Sequence, residues 1–124
     1  MKSLKRYIQE KLIIKKNKYN YLPKTKEELQ NIIKQRIKSE GNEVDLNDID
    51  VSNITDMFRL FKGTDFNGDI SEWDVSNVTN MYGMFYKCEQ FNQDISNWDV
   101  YKVNNIYRIF DYCPIEEKYK PKLR

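Results

Sequence analysis

The chain has 124 residues, with 21 Lys/Arg against 19 Asp/Glu, two cysteines and no histidine. That length bounds it to one domain, and the missing histidine removes the commonest general base and the commonest zinc ligand. The net charge of +2 conceals a segregation: residues 1–40 carry 12 basic and 4 acidic side chains, residues 41–113 carry 5 and 13, and residues 114–124 carry 4 and 2.

The N-terminus shows no apolar run of signal-peptide or membrane-spanning length; its longest is Leu12-Ile13-Ile14, flanked by lysines. With no lipidation motif either, the expectation is a protein of the cytoplasm, or of a host cell's cytoplasm, without a membrane partner. Ser3 can cap a first helix with Leu4, Ile8 and Leu12 on one face. Its basic side chains, Lys2, Lys5, Arg6, Lys11, Lys15, Lys16 and Lys18, form a candidate patch. A second helix begins at the capping box Thr25-Lys26-Glu27-Glu28, follows the stripe Leu29, Ile32, Ile33 and Ile37, and stops at Gly41. Residues 1–42 read as a two-helix N-terminal cap.

Residues 43–113 repeat. VSNITDMFRLFKGTDF starts at Val51, VSNVTNMYGMFYKCEQF at Val75 and VYKVNNIYRIFDYC at Val100. The preceding acids, Asp50, Asp74 and Asp99, lie 24 and 25 residues apart. Met57, Met81 and Ile106 share a column, as do Phe61, Phe85 and Phe110. FNGDISEWD, ending at Asp74, matches FNQDISNWD, ending at Asp99. Such a period marks stacked units that bury their faces only against neighbours. Alternation predicts a short strand at Asp69-Ile70-Ser71 and its equivalents Asp45-Leu46-Asn47 and Asp94-Ile95-Ser96. Val78, Met81, Tyr82 and Phe85 fall within one arc at 100° per residue, which predicts a helix from Ser76. Residues 114–124 form a tail or a short C-terminal cap.

FNGDISEWDVSNVTNM, its partner FNQDISNWD and the following MFYKC resemble the DUF285 family, the BspA-like bacterial surface-protein repeats related to leucine-rich repeats. The likeness covers roughly Glu43 to Cys113. With the pattern above, it implies an α/β fold: a short right-handed, leucine-rich-repeat-like solenoid of three strand–helix units behind the helical cap. It implies no reaction. Many relatives resemble secreted adhesins.

No nucleophile, Walker or dinucleotide motif is present, so no catalytic residue, cofactor or small-molecule substrate is expected. The Asp columns read first as acceptors for turn amides, and a calcium site is the alternative. No metal ligands are assigned. Asn67 and Asn92 are expected to form an internal amide ladder. Cys88 and Cys113 read as free, mostly buried thiols, and Trp73 and Trp98 as core. The expected function is non-catalytic protein binding to a basic partner. The contact face would be the acidic strand face of Glu43, Asp45, Asn47, Asp69, Ser71, Asp94 and Ser96. Tyr86, Tyr101 and Tyr112 are further contact candidates. The alternatives are a small phage or mobile-element inhibitor that occludes a host defence protein, a surface adhesin, and a nucleic-acid binder using the basic N-terminal patch.

Overall fold

The computed structural model describes residues 3–9 and 18–123. Residues 4–9 are helical, and Ser3 caps them as expected: its Oγ accepts the Arg6 N–H at 3.2 Å. Leu4 and Ile8 are exposed, so the described part of this helix lays no apolar face on the body. Lys2, Lys11, Lys15 and Lys16 of the basic patch lie outside the described residues, while Lys5, Arg6 and Lys18 are on the surface.

The second helix, Lys26–Glu40, starts and stops where the sequence predicts. Thr25 Oγ1 accepts the Glu28 N–H at 3.2 Å, but the Glu28 carboxylate takes the Lys24 N–H at 2.9 Å in place of that of Thr25. Gly41 closes the helix at φ +92°, donating to the Ile37 carbonyl. Leu29 and Ile33 join the core. Arg36 anchors the helix to the first repeat, reaching Asp48 at 2.9 and 3.0 Å and the Asp45 carbonyl at 3.3 Å, and it also pairs with Glu40. Burial disfavours the guanidinium charge, yet Asp48 and Glu40 outweigh it and raise the Arg36 pKa. Burial likewise opposes Asp48 ionisation. Asn20 and Arg36 overcome it and hold that carboxyl below its ordinary value.

The predicted strand–helix solenoid does not form. Among the described residues the repeat region contains neither an α-helix nor a sheet. Its pairing is limited to isolated parallel bridges, Tyr21 with Ile49 and then Asp56 with Asn80 and Asn80 with Asn105. Each repeat is instead a layer of consecutive turns, and the layers stack. The predicted strand at Asp69-Ile70-Ser71 is bent by its own aspartate: Asp69 Oδ1 accepts the Ser71 N–H at 2.9 Å, and Trp73 N–H closes on Ile70 O. The same Asx turn occurs at Asp45 and Asp94, and again at Asp50, Asp74 and Asp99. A side chain that takes the amide two residues on competes directly with extended pairing.

The predicted repeat helices fail for a different reason. A helix would use every N–H within its own segment. Here the amides of Met57, Arg59, Phe61 and Gly63 donate to the carbonyls of Asn80, Tyr82, Met84 and Tyr86 in the next layer, at 2.8–2.9 Å. Those of Met81, Gly83, Phe85 and Lys87 donate to Asn105, Tyr107, Ile109 and Asp111, at 2.8–3.0 Å. Intervening amides such as Leu60, Lys62 and Thr64 close turns on the residue three before. Both of these rows point the same way along the stack, while Asn67, Thr79 and Asn104 donate back to Asn42, Thr55 and Thr79.

The core lies between these walls, and its columns are the ones read from the sequence. Phe61, Phe85 and Phe110 stack at 5.5 and 5.7 Å, and Trp73 stacks on Trp98 at 6.4 Å. Each indole N–H donates one layer back, Trp73 to Leu46 O and Trp98 to Ile70 O. The asparagine ladder is present: Asn67 Oδ1 accepts the Asn92 N–H and Asn92 Oδ1 accepts the Glu116 N–H. The tail closes one side of the last layer, with Ile115 and Pro121 buried and Tyr119 O accepting the Ile95 N–H.

Candidate binding face

The ladder wall has an unusual backbone. Arg59, Gly83 and Arg108 occupy one column and Gly63, Lys87 and Tyr112 another, and all six have φ between +53° and +71°. A side chain at such a φ costs about 1–2 kcal/mol, and glycine avoids that cost. The chain uses glycine at some layers and retains Arg, Lys or Tyr at others. The turns that impose this geometry also push those side chains out from the stack.

Arg59, Lys62, Lys87 and Arg108 converge there with Tyr82, Gly83, Tyr86 and Tyr107 around a concavity of about 410 Å³. They are four of the five basic residues between positions 41 and 113. Among the described residues none of the four forms an ion pair. Aromatic faces orient them instead. The Arg59 guanidinium lies 4.9 Å from the Phe58 ring and 5.5 Å from Tyr82. Arg108 lies 5.3 Å from Tyr107 and 5.6 Å from Tyr86, and also reaches the Tyr86 hydroxyl at 3.4 Å. Its pKa is raised, by Tyr107 first and then Tyr86. The Lys62 and Lys87 ammonium groups stand 5.8 and 5.3 Å from Tyr86. Cation–π contacts hold these charges in place without neutralising them.

The acidic residues singled out from the sequence lie on a different wall. Because the strands do not form, they are corner residues and not one face of a sheet. Glu43, Asp45, Asp69, Ser71 and Asp94 are exposed, and Asn47 and Ser96 are half-buried. Asn47 Oδ1 accepts the Glu72 N–H at 2.9 Å. Asp69 Oδ1 takes both the Ser71 hydroxyl at 2.7 Å and its amide, which holds the carboxyl below its ordinary value. Ser96 does the same for Asp94. No group of three or more metal-ligating side chains occurs among the described residues.

Of the tyrosine candidates, Tyr86 lies in the concavity and Tyr112 packs on it edge-on at 6.0 Å. Tyr101, 72% exposed, is not among the lining residues. Both cysteines are free. Burial pushes the Cys88 thiol up to about 12 and raises Cys113 as well. Sequence reasoning missed Arg59, Lys62, Lys87 and Arg108. The available signal was the two columns in which glycine alternates with a bulky residue.

No helix among the described residues is long and apolar enough to cross a membrane. No curated protein and no solved structure matches the chain. The family model described as "Mycoplasma protein of unknown function, DUF285" matches residues 27–117, from within the helix through all three turn layers, and the chain belongs to that family.

Proposed function

We propose that this protein is a non-catalytic binding module that takes an acidic protein surface on the Arg59–Lys62–Lys87–Arg108 face. One observation carries the reading: four cations with no ion pair among the described residues are gathered on aromatic faces, and three of them sit at left-handed backbone positions where glycine is the easier residue. Strain kept at a surface site points to use. Arginine and tyrosine are also the residue types that anchor protein interfaces. The repeats around this face carry an excess of acids, so a long polyanion such as nucleic acid would run onto like charge. A compact acidic patch would not.

A second reading keeps the acidic corner wall as the contact for a basic partner, supported by the exposed column of Asp45, Asp69 and Asp94. The test separates the two. Immobilised poly-L-glutamate and poly-L-lysine are offered to the intact protein at several salt concentrations. Salt-sensitive retention on polyglutamate is expected, lost in the double variant Arg59→Glu/Arg108→Glu and kept in Asp69→Lys/Asp94→Lys. Retention on polylysine alone would favour the acidic wall. Loss of polyglutamate binding only in Lys5→Glu/Arg6→Glu would assign it to the N-terminal helix and end this proposal.

A further inference from the structure

The polarity of the ladder leaves its last donor row unmatched. In two successive layers the alternate amides donate to the next layer's carbonyls. The equivalent amides of the last layer belong to Ile106, Arg108, Phe110 and Tyr112, and none of them donates a hydrogen bond among the described residues. The side chains show the same opening. Met81 and Phe85 are fully buried, whereas their equivalents Ile106 and Phe110 are only half-buried. Tyr107, at the end of the Phe58–Tyr82–Tyr107 stack, is 61% exposed. The tail covers the Ile95 side of this layer and also reaches Phe110, with Lys120 5.4 Å from its ring, but among the described residues it supplies no acceptor to the four amides.

Along these four residues the edge offers only donors; the Asn104 carbonyl, equivalent to the Thr55 and Thr79 carbonyls that accept from the next layer, stands beside them. Two such edges cannot pair across a twofold axis, because N–H groups would face N–H groups. It needs a row of carbonyls on alternate residues. The chain's own unmatched carbonyl row, from Asp56 to Lys62, lies in the layer that the Lys26–Glu40 helix covers. Lys26 stands 5.0 Å from the Phe58 ring and Arg36 holds Asp48. A second copy would have to bring its row in past Lys26.

We infer that the open end receives a turn-repeat segment of the same kind from another polypeptide. The segment docks as a fourth layer, with its carbonyl row on the four amides and an aromatic ring on Tyr107. The two existing layer interfaces are the template: each has four amide bonds near 2.9 Å, and their rings stack at 5.2–5.7 Å. This is strand addition in kind, with turns replacing the extended chain.

Amide hydrogen exchange by NMR tests it on the whole protein, with a synthetic peptide of residues 75–99 as the probe and a scrambled peptide as control. In the free protein the amides of Ile106, Arg108, Phe110 and Tyr112 should exchange at least about tenfold faster than those of Met81, Gly83, Phe85 and Lys87. Saturating peptide should slow those four by about tenfold or more, and the scrambled peptide should not. Equal protection in the free protein would overturn the inference, as would unchanged exchange at millimolar peptide. Protection that rises with protein concentration alone would overturn the assigned occupant in favour of a second copy.

Discussion

The corner wall and the ladder wall of this stack solve one problem in opposite ways. Both are chains of turns, and both must satisfy backbone amides that no helix or sheet takes up. In the corner wall the aspartates do it. Asp45, Asp69 and Asp94 each bind the amide two residues on, so their charge is part of the scaffold. In the ladder wall alternate amides bond from layer to layer, Asp56, Asn80 and Asn105 each take only the amide two residues on, and Arg59, Lys87 and Arg108 are left to face outward. Charge on one wall holds structure; charge on the other is available to a partner.

The strongest way to break the comparison is through the core the walls share. Phe85 is fully buried between Phe61, Phe91 and Phe110. Phe85→Ala should cost about 3–5 kcal/mol in a urea melt and weaken both walls together. A shift of a degree or two in Tm would remove Phe85 from the core.

Gly68→Ala attacks the corner wall alone. A Cβ there would stand 2.0 Å from the Val44 carbonyl oxygen and 2.7 Å from the Phe66 ring. The expected cost is about 1–3 kcal/mol, with ladder amides still protected from exchange. A neutral Gly68→Ala would show that the corner has slack.

Asp69→Ala tests whether the acids are scaffold. Losing two partly exposed hydrogen bonds should cost about 1 kcal/mol at neutral pH. The folded-state pKa is lowered, so this contribution is complete above the ordinary carboxylate pKa and disappears as pH falls through the folded value. Wild type and variant should therefore converge below about pH 4. A constant gap down to acid pH would mean that the charge of Asp69 plays no part.

Arg59→Gly should act with the opposite sign. Relief of a left-handed side chain, less the extra freedom glycine has when unfolded, leaves a gain of about 0.5 kcal/mol. That corresponds to a rise of about 2–3 °C in Tm, with polyglutamate binding weakened. A variant that is less stable and binds as before would erase the distinction between the walls.

The repeat register, the Phe and Trp columns, the Asn67–Asn92 ladder and the caps at Thr25 and Gly41 were all legible in the sequence. Each depends on residue type at a fixed spacing, and burial selects residue type directly. Two conclusions required the tertiary structure. The first is the backbone of the repeats. Val78, Met81, Met84, Phe85 and Cys88 recur every three or four residues, and successive turns bury side chains at nearly the period of a helix. Hydrophobic pattern cannot separate them. The choice lies with carbonyls of the next layer, a full repeat away in the chain, which capture the amides a helix would use. The second is the gathering of Arg59, Lys62, Lys87 and Arg108. They are scattered through an acidic segment, and only stacked turns with positive φ turn them onto one face.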